Sequence, residues 1–401
     1  MHKLVQNKVK GTGYSLAITK RFIITVIIIT LGIIPFTSPK KTHALPLIDS
    51  SVHVSAQAAI LMDQDTGRVL YGKDIHKPMR IASITKVMTA ILAIESGKLD
   101  KTVTVSNNAF GTEGSSLYLK KGEKIKLEDL VYGLLLRSGN DAAVAIAEAV
   151  GGSTEGFVYL MNKKAKELGM LDTTFANPHG LDDELHRSTA YDMALLTKYA
   201  MKNPTFQKMF STKFYTAPQE GEKWDRRWRN KNKLLFNYDY STGGKTGYTK
   251  KTGRTLISTA SKGNEDYIVV TLNDGDDWND HMNLFNWGFA QFDEVKVAQK
   301  GKVNGIKKKY YDSAIYLHRD VMLPLTKKEQ EKMTTEIVLY KPKQGEEFKE
   351  RPETAGHFDV KIGDEVVESV PVFYEKPKKE NKSFWSFFGL ALSHLIGPTA
   401  K

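Results

Sequence analysis

The chain of 401 residues contains no cysteine. This excludes disulfides, thiolate metal sites and cysteine nucleophiles together, and it is compatible with export, since a chain of this length needs no covalent staple. The ten histidines show no H-E-x-x-H spacing, so no metal and no other cofactor is expected. Two strongly apolar stretches, residues 22–36 and 383–396, both fall short of the about 20 residues that span a bilayer comfortably. Acids are missing from residues 1–44, which carry Lys3, Lys8, Lys10, Lys20, Arg21, Lys40 and Lys41. Removing these seven charges from the formal +12 leaves +5, too little and too scattered for a nucleic-acid footprint, so no nucleic acid is expected as partner. A modest positive balance suits anionic lipid or wall polymer.

What is present begins with an export signal. A basic stretch ending Lys20-Arg21 precedes the apolar run, and Thr42-His43-Ala44 supplies a small-x-Ala cleavage site. Residues 1–44 are therefore expected to be a signal peptide cut after Ala44, with the body of the chain outside the cytoplasm.

From Ala56 the pattern is a hairpin, with Ala58 to Met62 and Arg68 to Tyr71 flanking an Asp65-Thr66-Gly67 turn. A helix is expected to open near Ser83 and close at Gly97. Further helices are expected at 128–136, from Asp141, at 157–168 and at 191–201. Strands follow at 255–260 and 267–272, then a closing helix at 281–292. Strands at both ends of a helical middle predict an α+β fold with an antiparallel sheet. After about residue 300, short alternating runs predict a small β-rich domain with a structural role. The expected organisation is a signal peptide at 1–44, a main domain at 45–298, a β-rich domain at 299–376, and a basic linker with an amphipathic helix at 377–401. On that last helix Phe384, Phe388, Leu392 and Leu395 form an apolar stripe, which predicts an anchor lying on the outer face of the cytoplasmic membrane.

Three short strings carry the chemistry. Ser83-Ile84-Thr85-Lys86 places a hydroxyl and an amine one helical turn apart, where a desolvated lysine can take the serine's proton. Ser138-Gly139-Asn140 breaks two apolar helices with a polar loop; read alone, Ser138 and Asn140 could equally cap the helix from Asp141. Lys245-Thr246-Gly247 precedes strands, and Lys245 alone could be a solvated edge lysine. His179 is not taken as a base, because Lys86 already supplies one.

In order, spacing and setting these strings match the S-x-x-K, S-x-N and K-T-G set of penicillin-recognising serine acyl transferases. Within that group the chain resembles the serine-type D-alanyl-D-alanine carboxypeptidases, the low-molecular-mass penicillin-binding proteins. The likeness includes Gly114-Ser115-Ser116-Leu117, Asn177-Pro178-His179-Gly180-Leu181, Ser188-Thr189-Ala190 and Lys245-Thr246-Gly247-Tyr248-Thr249. It implies a penicillin-binding/β-lactamase-like fold and a peptidoglycan stem peptide as substrate, with β-lactams as covalent inhibitors. It also implies roles: Ser83 attacks the penultimate D-Ala carbonyl, Lys86 takes the proton and Ser138 relays one to the leaving amine. Asn140 holds the substrate amide, and Lys245, Thr246 and Gly247 form the carboxylate-binding segment. The backbone N–H groups of Ser83 and Tyr248 make the oxyanion hole. The sequence departs from the family pattern at Thr242-Gly243-Gly244, and Lys231 offers a further carboxylate contact. Three other readings fit parts of the pattern: an endopeptidase on cross-linked stems, a β-lactamase, and a wall-binding protein without activity. The β-lactamase lacks its E-x-x-L-N string here.

Overall fold

The computed structural model describes residues 52–219, 221–303, 315–340 and 353–374. The expected signal peptide with its cleavage after Ala44, and the expected linker and anchor at 377–401, lie outside the described residues.

Five antiparallel strands lie in the order Val69–Lys73, Ala58–Asp63, Glu265–Leu272, Gly253–Lys262, Ser241–Thr249. Two come from the start of the described chain and three from beyond residue 240, so the sheet closes around the helices inserted between them. Every residue of Ala58–Asp63 is buried, because both faces of the sheet are covered. Ile60 and Met62 enter the cluster of Val87, Met88, Ile91 and Leu134. Ala59 and Leu61 alternate onto the other face, with Tyr267, Leu284 and Phe285. The helix Asp277–Gln291 supplies Leu284 and Phe285 to that side. The α+β architecture with an antiparallel sheet is the one expected from the segregation of strand and helix patterns.

The helices differ from expectation in instructive ways. No α-helix opens at Ser83: residues Ala82–Thr85 form a single 3₁₀ turn, and the α-helix Lys86–Glu95 follows. Ala82 has φ +48°, a left-handed conformation that costs a residue with a Cβ about 1–2 kcal/mol. Regular helix therefore cannot extend through it. The helix Pro204–Ser211 was not anticipated, although Asn203-Pro204 signals it: the Asn203 side chain accepts from the Thr205 and Phe206 N–H groups, and proline occupies the first turn. The helices Leu127–Arg137 and Asn140–Gly151 stand where the apolar periodicity places them, and Ser138 between them is left-handed at φ +66°.

A second antiparallel sheet runs in the order Gly301–Val303, Ile315–Leu317, Glu365–Phe373, Thr354–Ile362, Met333–Leu339. Leu317, Leu323, Leu325, Val360 and Val372 form its core. The ribbon of Asp293–Ala298 with Val321–Leu325 packs on it, Val295 and Val297 lying against that core. Arg68, at the turn of the first hairpin, crosses to this part of the chain. Its guanidinium pairs with Glu329 at 2.5 Å and donates to the Pro324 carbonyl. Glu329 is itself held by a capping box with Thr326.

Candidate active site

The site forms where the 3₁₀ turn, the Ser138 loop and the edge strand Ser241–Thr249 meet. Lys86 is completely buried. Its Nζ lies 2.8 Å from Ser83 Oγ, 2.7 Å from Asn140 Oδ1 and 2.6 Å from the His179 carbonyl oxygen. Burial, and after it the charges of Lys245 and Lys231, hold the Lys86 ammonium well below the usual lysine range. Ser83 Oγ is otherwise only 3.4 Å from the His179 carbonyl.

Ser138 closes the helix Leu127–Arg137, its N–H donating to the Leu134 carbonyl, and neither Ser138 nor Asn140 caps the start of the next helix. The cap residue is Gly139, with no side-chain hydrogen bond. Asn140 instead spends its amide on Lys86 and, through Nδ2 at 2.5 Å, on the Glu113 carbonyl. Asp141 ties down the neighbouring 114–119 loop, accepting from Ser116 Oγ at 2.6 Å and from the N–H groups of Leu117 and Leu119. The left-handed turn at Ser138 aims its Oγ at Lys245, whose Nζ donates to it at 3.0 Å.

Lys245 is buried rather than solvated. Its Nζ also donates to the Thr246 carbonyl at 2.6 Å, and burial, then the Lys231 charge, lower its pKa to about 7. Thr246 follows on the same strand, half-buried, and Tyr248 is 66% exposed. Gly247 lets this strand press against the Ser83 turn, since a Cβ there would lie 2.8 Å from Ser83 N. The strand forms one edge of the sheet, paired only with Gly253–Lys262. All eight sequence-predicted site residues, Ser83, Lys86, Ser138, Asn140, Lys245, Thr246, Gly247 and Tyr248, thus belong to one neighbourhood built from three elements.

Residues 43–276 match the family model described as peptidase S11, D-alanyl-D-alanine carboxypeptidase. The chain belongs to this family. Among S11 relatives it is 41% identical over 225 residues to D-alanyl-D-alanine carboxypeptidase DacF of Bacillus subtilis and 37% identical over 258 residues to DacC of Escherichia coli. The matches cover 54% and 60% of this chain but only 57% and 63% of those two proteins. Penicillin binding protein 5 from Haemophilus influenzae superposes with TM-score 0.72 at 27% identity, covering 83% of this chain and all of that one. A D-alanyl-D-alanine carboxypeptidase from Mycobacterium tuberculosis gives 0.59 at 31% identity, covering 62% and 96%.

The sequence reading missed the group behind the Ser83 turn. His186 is buried, and the Ala176 N–H donates to its Nδ1 at 3.0 Å. The ring proton therefore sits on Nε2, which donates to Thr85 Oγ1 at 2.8 Å, and Thr85 donates in turn to the Ala82 carbonyl at 2.7 Å. Burial lowers the His186 pKa to about 4, so the ring stays neutral. Thr255 Oγ1 donates to the Ile81 carbonyl at 3.0 Å. Gly180, at φ +87°, leaves space that a Cβ would fill only 1.9 Å from the Ala82 oxygen. These contacts over-determine the strained turn that carries Ser83. Nothing in the sequence marks His186, which lies about a hundred residues from the turn it supports. His186→Ala is expected to slow acylation about 10-fold to 10²-fold with KM retained, as a shift of the nucleophile would. Stopped-flow acylation with a chromogenic penicillin checks this, and an unchanged rate would leave the contact merely structural.

The His179 ring takes no part in this arrangement. Its Nδ1 accepts from the Leu181 N–H at 3.2 Å, and burial, then the Lys86 charge, depress its pKa to about 3; the residue meets Lys86 through its carbonyl.

Proposed function

We propose that the chain removes the terminal D-Ala from peptidoglycan stem peptides ending D-Ala-D-Ala, limiting cross-linking in wall biogenesis, and is acylated by penicillin at the same serine. The observation that carries this reading is the buried Lys86 amine 2.8 Å from Ser83 Oγ. A neutral amine has two N–H groups and one lone pair. The Asn140 and His179 oxygens receive the two N–H groups, which leaves the lone pair facing Ser83.

In this mechanism Ser83 Oγ attacks the carbonyl carbon of the penultimate D-Ala and its proton passes to Lys86 Nζ. The C–N bond then breaks, the departing D-Ala nitrogen takes a proton through Ser138 Oγ, and a Ser83 ester remains. Water attacks the ester, gives up a proton and releases the shortened stem. Lys245 and Thr246 bind the terminal carboxylate, Lys245 acting as a cation with Ser138 and the Thr246 carbonyl already around it. The close approach of the edge strand at Gly247 supports an oxyanion hole from the Ser83 and Tyr248 N–H groups. Asn140 positions Lys86 first, and its remaining Oδ1 lone pair is left for the substrate amide.

We further propose that residues 45–298 form the catalytic domain and 299–376 a β-rich support. The protein is exported and held at the outer face of the cytoplasmic membrane by residues 377–401. The test of activity is D-Ala release from a pentapeptide ending D-Ala-D-Ala. Wild-type protein is expected to release it and Ser83→Ala to release none. Release by the variant would remove Ser83 from the role; penicillin labelling of wild type without release would overturn the hydrolytic reading.

A further inference from the structure

Beside the cleft, the hairpin of Phe214–Ala217 and Arg226–Arg229 carries a positive charge at successive outward positions. From residue 226 to residue 233 burial alternates strictly. Arg226, Trp228, Asn230 and Asn232 are buried, whereas Arg227, Arg229, Lys231 and Lys233 are exposed. Arg227 and Arg229 share one face of the strand Arg226–Arg229 at a step of about 6–7 Å, and the chain then bends at Lys231 and enters the helix Leu234–Asn237 at Lys233. Two further cations join the row: Arg137, whose Nη1 donates to the Arg229 carbonyl at 3.3 Å, and exposed Lys213, whose carbonyl accepts from the Asn230 N–H at 2.9 Å.

None of these six cations forms an ion pair among the described residues. Of the acids on this side, Glu123 is engaged by inward-facing Arg226 and Glu222 by Lys120. The row rests on aromatic rings instead. Arg227 Cζ lies 5.5 Å from the Phe214 centroid, Arg229 Cζ 4.4 Å and Lys213 Nζ 5.8 Å from that of Phe236, and Lys233 Nζ 5.9 Å from that of Trp278. Such contacts orient the cationic heads without neutralising them. The row also leads to the catalytic cleft, since Lys231 Nζ is 3.3 Å from Ser115 Oγ and the Ser115 carbonyl accepts from Asn140 N–H at 2.6 Å.

We propose that this row is a docking surface for a linear polyol-phosphate polymer, laid along the hairpin toward the mouth of the cleft. A glycerol-phosphate repeat contains as many backbone bonds as two residues of peptide, so its charges recur at the step from Arg227 to Arg229, and a flexible polymer can follow the bend to Lys231 and Lys233. A flat anionic membrane lacks that linear repeat. Single-stranded nucleic acid has a similar backbone repeat but binds through aromatic platforms for its bases, whereas in this row Arg227 lies over the Phe214 ring and Arg229 over that of Phe236.

The test uses the exported chain and poly(glycerol phosphate) of increasing length, titrated by calorimetry at several salt concentrations. Affinity is expected to rise with polymer length and to fall linearly with salt on a logarithmic plot. Replacing Arg227→Gln and Arg229→Gln together should weaken binding by about tenfold and reduce the salt slope by about 1.4, two cations' share on a single strand. Penicillin acylation, unchanged in the variant, reports an intact fold. A separate Lys213→Gln, Lys233→Gln pair should give the same loss. Equal polymer binding by wild type and both variants would overturn the proposal. So would tighter, row-dependent binding to phosphatidylglycerol vesicles or to single-stranded DNA of equal charge, which would reassign the surface.

Discussion

Lys86→Met is expected to slow acylation by penicillin about 10²- to 10⁴-fold, the contribution of a positioned general base. Methionine fills most of the buried channel, so the chain should fold, although the Asn140 and His179 oxygens lose their donor and Ser83 its acceptor. A fluorescent penicillin measures the rate and a thermal melt reports the fold; a rate within tenfold of wild type would remove Lys86 from its role. The pH dependence follows from the same two buried amines. Lys86 must be neutral to accept a proton, and burial with two neighbouring cations lowers its pKa, so kcat/KM should fall on the acid side as Lys86 becomes protonated. Lys245 must be charged to bind a carboxylate, so in the free protein kcat/KM should fall as pH rises through about 7. A substrate whose terminal carboxylate is amidated should lose that alkaline limb and keep the acid one.

Glu329→Ala is expected to lower the stability of the chain by about 3–5 kcal/mol, because it leaves the Arg68 guanidinium buried without its counter-charge. The two side chains are only 5% and 1% exposed. Glu329 also accepts from the Thr326 N–H at 2.9 Å, so the alanine variant loses a helix cap as well. Urea denaturation followed by tryptophan fluorescence gives the difference. The double variant Arg68→Met, Glu329→Leu should be less destabilised than Glu329→Ala alone, since it leaves no buried charge behind. A loss below about 1 kcal/mol for Glu329→Ala would mean that water reaches the guanidinium and that the pair does not join the two sheets.

The strand and helix pattern was readable in the chain because most of its elements have one consistent period. Ala58 to Met62 alternates between two cores, and the apolar residues of 127–137 and 140–151 recur at helical spacing. What resisted reading was local strain. Ala82 and Ser138 are not glycines, yet both sit at positive φ, and each is held there by residues distant in sequence: Thr255, His186 and Gly180 around the first, Lys245 at the second. Propensity within a window cannot register such partners, so the sequence suggested a helix start at Ser83 and, with Ser138 read alone, a cap for the helix from Asp141, whereas Ser138 closes the helix before it.

The sequence by itself determined the family, the α+β class and the residue types that meet in the cleft, because periodicity and motif spacing are properties of the chain. Tertiary structure alone decided what those residues are chemically. Burial turns Lys86 from a surface cation into a candidate base and brings Lys245 to about 7. Long-range hydrogen bonds hold Ser83 on a strained 3₁₀ turn, and the edge strand presses against it through Gly247. Desolvation and strain both depend on which distant residues are packed alongside, and that is settled only when the chain has folded.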